Sequence, residues 1–261
     1  MSLQDNLQRI QDRINSAAAR AGRDTSSITL VAVSKTQPVE SLIEAYHLGV
    51  RHFGENRVEE ASIKLPAFKS NLAEVLGTID KSPVQPFDRL RAGSPQGFVF
   101  HMIGHVQSRK AAEVAALFDR VHSIDSLKLA QRLDRFAAEH NKVLPILLEV
   151  NVSGEESKHG FSGARRAELW GAAETIGQLH HLKLDGLMTM APIVDRPDQA
   201  RPVFRSLREV RDEIEAKLKL QLPHLSMGMT DDFEAAIEEG ATLVRVGRAI
   251  FGERLKAEGE K

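Results

Sequence analysis

A closed (β/α)8 barrel is the fold this sequence predicts, and three observations predict it. Apolar runs rich in β-branched residues alternate along the chain with segments of helical periodicity, which implies parallel strands joined by right-handed crossovers. Eight such units fit the 261 residues, a length typical of such a barrel. Gly49 and Gly240 each stand just past a helical segment, where a left-handed residue commonly ends a helix. An open, doubly wound sheet is the competing architecture.

The elements follow in order. Leu3, Leu7, Ile10 and Ile14 share one face of a polar amphipathic stretch, predicting a helix over about residues 2–21. It lacks the apolar run of a secretory leader. Strands are expected at 30–34, 50–54, 98–104 and 120–124, then at 144–152, 182–190, 224–228 and 243–247. Helical periodicity occupies 41–48, 126–140, 165–179, 200–220 and 231–239 between them. Residues 69–97 break this rhythm, with Pro83, Pro86, Pro95, Gly77, Gly93 and Gly97 and little periodicity. They read as a loop insertion on the surface of one barrel domain spanning 1–261, since ordinary connections in such a fold are far shorter. No convergent polar groups mark the insertion as a lid.

Composition excludes several classes of function. Lys and Arg number 35 against 36 Asp and Glu, a net charge of -1, which argues against a nucleic-acid surface. No apolar stretch is long enough to span a bilayer. The chain has no cysteine, so disulfides, thiolate nucleophiles and cysteine-based metal sites are absent together. That fits a reducing compartment, and the cytoplasm is expected. His101 and His105 are four residues apart but fall across a strand and its loop, with no evident carboxylate partner, so no metal site is read from them. No long heptad or apolar stripe is visible, and a monomer is expected.

Lys35 is the residue most suggestive of chemistry. Residues 28–33 are β-branched and nearly uncharged, and Ser34-Lys35-Thr36 follow at the carboxyl end of that run. Chemistry gathers at such strand ends in α/β folds. A lysine desolvated there has a lowered pKa and a neutral amine free for Schiff-base formation. A solvent-facing lysine at a strand end is the plain alternative.

Two glycine turns end the last two strands. Ser226-Met227-Gly228-Met229-Thr230 leads into Asp231-Asp232, and Arg245-Val246-Gly247-Arg248 leads into Ala249-Ile250-Phe251-Gly252. Glycine lets the backbone approach an anion, and N–H groups at a helix start point at it. Ser226 and Thr230 add hydroxyls and Arg245 adds positive charge; the alternative is that Asp231 and Asp232 only favour a helix start while Arg245 meets a carboxylate. In barrels, a phosphate site often forms after strands seven and eight. An amine after the first strand and a phosphate cup after the last two would be neighbours, which is what pyridoxal 5'-phosphate needs. Asn56, in Phe53-Gly54-Glu55-Asn56 after the second strand, is placed either to bond the cofactor ring or to serve as a turn or cap residue.

These motifs, together with Ile103-Gly104-His105-Val106-Gln107-Ser108, the run from Val150 to Lys158 and Gly186-Leu187-Met188, resemble the YggS/PROSC family of pyridoxal-phosphate homeostasis proteins. The likeness extends through Asp231-Asp232-Phe233-Glu234-Ala235-Ala236-Ile237 and Ile250-Phe251-Gly252-Glu253-Arg254 and covers nearly the whole chain in order. It implies a fold-type III TIM barrel, like the N-terminal domain of alanine racemase, with Lys35 carrying the cofactor as an internal aldimine. It also implies Ser226, Gly228, Met229, Arg245, Gly247 and Arg248 around the phosphate. Arg248 stands where many relatives place Thr or Ser, so a hydroxyl contact is lost there while the backbone N–H remains.

The resemblance further implies a non-catalytic carrier that takes part in homeostasis of the cofactor, with apo forms of pyridoxal-phosphate enzymes as partners. A racemase of this fold needs acid–base groups on both faces of the bound cofactor. The barrel is expected to end near Gly252, and the single tyrosine, Tyr46, lies on a helical face. A racemase-like enzyme is the alternative reading; a cofactor-free Schiff-base aldolase is a further rival.

Overall fold

The computed structural model describes residues 2–78, 97–155 and 159–252, without the side chains of 73–78. Nine helices and nine strands alternate among these residues. Helix α1 (Leu3–Arg20) precedes strand β1 (Thr29–Val33), and α2 (Val39–His47), β2 (His52–Glu55), α3 (Val58–Thr78) and β3 (Val99–Met102) follow. Then come α4 (Ala111–Leu117), β4 (Arg120–Ile124), α5 (Leu127–Glu139), β5 (Leu144–Asn151) and the two-residue β6 (Phe161–Ser162). The chain continues through α6 (Arg166–Gly177), β7 (Leu182–Met188), α7 (Arg201–Leu218), β8 (His224–Ser226), α8 (Phe233–Glu238), β9 (Leu243–Val246) and α9 (Arg248–Phe251).

The sheet order is β4-β3-β2-β1-β9-β8-β7-β5, and β4 also pairs with β5, so eight parallel strands close on themselves. Strand β6 adds beside the end of β5, with Val150 opposite Phe161. The seam is β1 against β9, from Thr29 opposite Leu243 to Ala32 opposite Val246. All carboxyl ends therefore open at one mouth. The barrel is the architecture the alternation predicted, and the open sheet is ruled out by the β4–β5 and β1–β9 ladders.

Side chains alternate between two environments along each strand. Val31, Leu147, Met188 and Leu243 form a small apolar cluster of their own, whereas Ala32, Phe100, Met102, Val244 and Val246 join the main core under the helices. Gly49 and Gly240 have φ of 95° and 107°, as expected for residues that end helices. Helix α1 opens on a capping box in which Ser2 and Asp5 bond each other's backbone N–H. It is tied to the last units: Arg13 and Arg20 pair with Glu234 at 2.7 and 2.8 Å, and Asn6 donates to Ile250 O.

One expectation needs correction. Residues 69–78 of the loop insertion expected at 69–97 are helical, because α3 runs unbroken to Thr78. Pro66 inside that helix hides its continuity in the sequence, and burial of Leu65, Phe68 and Leu72 explains it. The stretch 79–96 lies outside the described residues, as do 156–158 and everything after Gly252. Among the described residues no helix is long and apolar enough to cross a membrane.

Phe68 fastens α3 to the sheet. Its ring lies 5.5 Å from Phe53, 5.4 Å from Phe100 and 5.3 Å from Phe98, in tilted or edge-on arrangements. Phe68→Ala is expected to lower unfolding free energy by about 3–5 kcal/mol in chemical denaturation. A loss below about 1 kcal/mol would show that α3 does not dock there.

Candidate functional site

The site is built on the turn that leaves β1. Ser34 O accepts from Gln37 N at 3.0 Å, closing a tight turn with Lys35 and Thr36 between them. Thr36 has φ of 64°, a left-handed conformation that strains a β-branched residue. Three groups from outside hold it there. Glu60 accepts from Thr36 N at 2.5 Å, and Lys64 Nζ donates to Ser34 O at 2.8 Å. Lys64 also meets Glu55 at 2.9 Å and Glu60 at 2.5 Å, while Ser34 Oγ donates to Glu55 at 2.7 Å. Lys35 is thus presented, half-buried, on a strained turn clamped from β2 and α3. Burial pushes the Glu55 carboxyl up, and Lys64 opposes that shift.

Asn56 stands in register with Lys35, because Val33 is opposite Gly54 on the neighbouring strand. Its Oδ1 is buried with no hydrogen-bond partner among the described residues. Such an atom costs about 1–3 kcal/mol unless something else supplies a donor.

Both glycine turns lie at the mouth beside this strand end. A Cβ on Gly247 would lie 3.2 Å from Val33 O, so the turn after β9 abuts the end of the strand that carries Lys35. Gly228 has φ of 91°, and a Cβ there would come within 2.6 Å of Ala236 and 2.8 Å of Phe233 Cα. No other residue fits that corner. Helix α9 starts at Arg248, and its first N–H groups have no intrahelical acceptor. The N–H of Met229 is taken by Asp232 Oδ1 at 2.6 Å. Arg248, rather than Arg245, meets a carboxylate at that turn, pairing with Asp231 at 2.8 Å in the open.

Ser226 and Arg245 meet inside the barrel. Arg245 donates to Ser226 Oγ at 2.5 Å and to Thr189 O at 3.0 Å. Burial lowers its pKa to about 10, countered by the charges of Asp232 and Glu149. Burial likewise pushes the carboxyls of Glu149 and Asp232 up. From Ser226 a line of imidazoles crosses the barrel: His122 Nδ1 lies 2.9 Å from Ser226 Oγ, His101 2.8 Å from His122, and His52 2.9 Å from His101. Burial holds all three neutral, His52 at about 4 and the other two well below the usual range.

The structure brings Lys35, Asn56, Gly228, Met229, Gly247 and Arg248 to one mouth, with Ser226 and Arg245 joined beneath the last strands. Sequence reasoning missed Glu55, Glu60, Lys64, Thr189 and the histidine line. Glu60 and Lys64 four apart on a helix carried a signal, but only the fold shows their common target. Tyr46 packs 6.1 Å from Phe68 on α3 and 6.3 Å from Phe98, which precedes the amino end of β3.

A sequence model described as "Alanine racemase, N-terminal domain" matches residues 6–255. The pyridoxal phosphate homeostasis protein of Aquifex aeolicus is 39% identical over 254 residues, covering 97% of this chain and 99% of its own. That of Escherichia coli (strain K12) is 39% identical over 253 residues, 95% of each chain. PipY of Synechococcus elongatus, solved with PLP bound, superposes with a TM-score of 0.72 at 33% identity, over 96% of this chain and 100% of that one. The alanine racemase of Clostridium difficile shares the fold at 14% identity and a TM-score of 0.64, and this chain covers 57% of it.

The histidine line has a consequence for pH. Between His52's ordinary pKa of 6.5 and its folded value of about 4, only the unfolded chain is protonated there, so stability falls as pH drops through that window. The raised carboxyls act with the opposite sign. His52→Asn removes the contribution of that one imidazole, leaving those of His101 and His122, and is expected to flatten stability against pH by roughly 2–3 kcal/mol across the window. Denaturant titrations of both proteins from pH 7 to 4 measure it; parallel profiles would show that His52 is protonated in the fold.

Proposed function

The chain belongs to the alanine racemase N-terminal domain family, and on that premise we propose that it binds pyridoxal 5'-phosphate covalently through Lys35 and serves intracellular homeostasis of that cofactor. Its curated relatives bear that function in their names, and a relative of known structure holds PLP. One observation carries the reading for this chain: the Gly247 turn lies against Val33, bringing an anion-binding turn to the strand end that presents Lys35.

The residues present fit the group. A bound cofactor supplies an aldehyde for a lysine amine and a dianionic phosphate. Lys35 offers the amine from a turn whose conformation Glu60 and Lys64 impose. Gly228 and Gly247 let backbone approach the phosphate, and the N–H groups opening α9 point toward an anion there. Arg245 supplies buried positive charge below, its direction fixed by Ser226 and Thr189. Asn56 brings an amide whose buried Oδ1 lacks a partner, suited to the ring hydroxyl. Arg248 adds charge at the rim, and Met229, bonded to Asp232, shapes the wall.

The protein acts as a carrier, passing the cofactor to apo-enzymes as a cytoplasmic monomer. The chain's single tyrosine, Tyr46, packs beside Phe98 before the amino end of β3, which supports this over a racemase that would use a phenol as its second acid–base group at the mouth. Exchange of amino-acid α-protons in heavy water no faster than with free cofactor is the expected result; faster exchange would make it an enzyme.

Lys35→Ala is expected to abolish the borohydride-reducible coloured adduct while circular dichroism is retained. An adduct surviving on another lysine would remove Lys35 from its role. Arg245→Gln is expected to raise the dissociation constant about tenfold or more, as for loss of a charge-assisted contact of roughly 1.5–3 kcal/mol. Fluorescence titration measures it, and an unchanged constant would exclude Arg245 from the cup.

A further inference from the structure

The barrel mouth carries a second constellation, on the loops after β3, β4 and β5. His105 lies three residues past β3, Asp125 directly follows β4, and His159 precedes β6. His105 Nδ1 is 3.1 Å from Asp125 Oδ2. The ring of His159 stacks on that of His105, with centroids 4.1 Å apart and planes at 18°. The three potential ligand atoms all lie within 4.8 Å of one another. They line an open cavity of about 390 Å³ shared with Ser108, Ser126 and Gly160.

The backbone around these side chains is fixed. A Cβ on Gly104, next to His105, would lie 2.2 Å from Asn56 O, and Ser123 Oγ donates to Gly104 O at 2.5 Å. A Cβ on Gly160, next to His159, would lie 2.6 Å from Glu149 O. Two close approaches that only glycine permits therefore seat both histidines against neighbouring strand ends. Asp125 follows the last residue of a buried strand.

We propose that His105, Asp125 and His159 form a binding site for a divalent transition-metal ion of the Zn2+ type. Two imidazoles and one carboxylate favour such an ion over Mg2+ or Ca2+, which prefer all-oxygen sites. Ligands about 2.0–2.2 Å from a metal stand roughly 3–4 Å from each other, and the His105–Asp125 pair already has that spacing. Three protein ligands leave positions open to water or a small anion from the cavity. Glu149, buried on β5 behind Gly160, adds negative charge to the side facing the barrel. A purely structural role accounts poorly for the arrangement, since both imidazoles are exposed and bury little. The site uses none of the residues assigned to the cofactor and stands independently of that assignment.

Calorimetric titration of the chelator-treated, cofactor-loaded protein with ZnCl2 alone tests it. One saturable site per chain is expected, and His105→Ala, Asp125→Asn and His159→Ala should each weaken it by about tenfold or more. His180→Ala, at an exposed position between α6 and β7, should leave it unchanged. Co2+ should give visible ligand-field bands that the same three variants lose. The borohydride-reducible adduct, read in the same samples, reports the cofactor separately. Absence of a saturable site, or isotherms alike in the three variants and the parent, would overturn the proposal.

Discussion

The seam between β1 and β9 is the constraint on which the site depends. This ladder joins the first strand to the last, matching Leu30 to Val244 and Ala32 to Val246. A one-residue slip would turn Arg245 outward into the helical layer and Val246 into the interior. It would also pull the Gly247 turn away from Val33, separating an anion-binding turn from Lys35. Helix α1 secures the same seam from outside, gripping Glu234 and Glu238 of α8 and reaching α9 through Asn6. An N-terminal helix thereby bears directly on the geometry of a C-terminal turn.

Closure also creates an unusual interior. Beside the small apolar cluster of Val31, Leu147, Met188 and Leu243, the barrel encloses three hydrogen-bonded histidines and Arg245. Buried polar groups are tolerable only when bonded. Arg245 donates to Ser226, so the Ser226 hydroxyl proton is directed at His122, and each imidazole in turn donates from Nε2 to the next. That polarity points the imidazole N–H groups away from the guanidinium, the arrangement favoured beside a positive charge. The histidines keep their protons as neutral donors, and desolvation keeps a second proton off. The line thus aims Arg245 without adding charge to the core.

How much of this was legible in the sequence follows from the range of each interaction. Barrel strands buried on both faces show as short apolar runs, so their existence and order could be read, with ends misplaced by a residue or two. Strand β4 lies at its expected bounds, Arg120–Ile124, although only Val121 and Ile124 of its five residues are aliphatic. Lys35, Gly228 and Gly247 were legible because their roles are local: a strand end, a positive φ, a turn. The partners of Arg245 were not, since Ser226 and Thr189 reach it only after closure. The end of α3 was missed because Pro66 and weak amphipathicity argue against a helix that aromatic packing then imposes. His105 and Asp125 belong to different strand ends, so no spacing rule could pair them.

The clamp behind Lys35 shows why position, rather than stability, explains the buried ions. Lys64 is 8% exposed and Glu55 fully buried, and removing such charges from water costs about as much as their attraction returns. Thr36 adds strain of about 1–3 kcal/mol. A hydrophobic pair in place of Lys64 and Glu55 would serve stability as well, but it could neither donate to Ser34 O nor hold the Glu60 carboxylate that accepts from Thr36 N. Those two bonds fix the backbone on either side of Lys35. Three charged groups from β2 and α3 therefore add little stability and instead set the direction of a single amine.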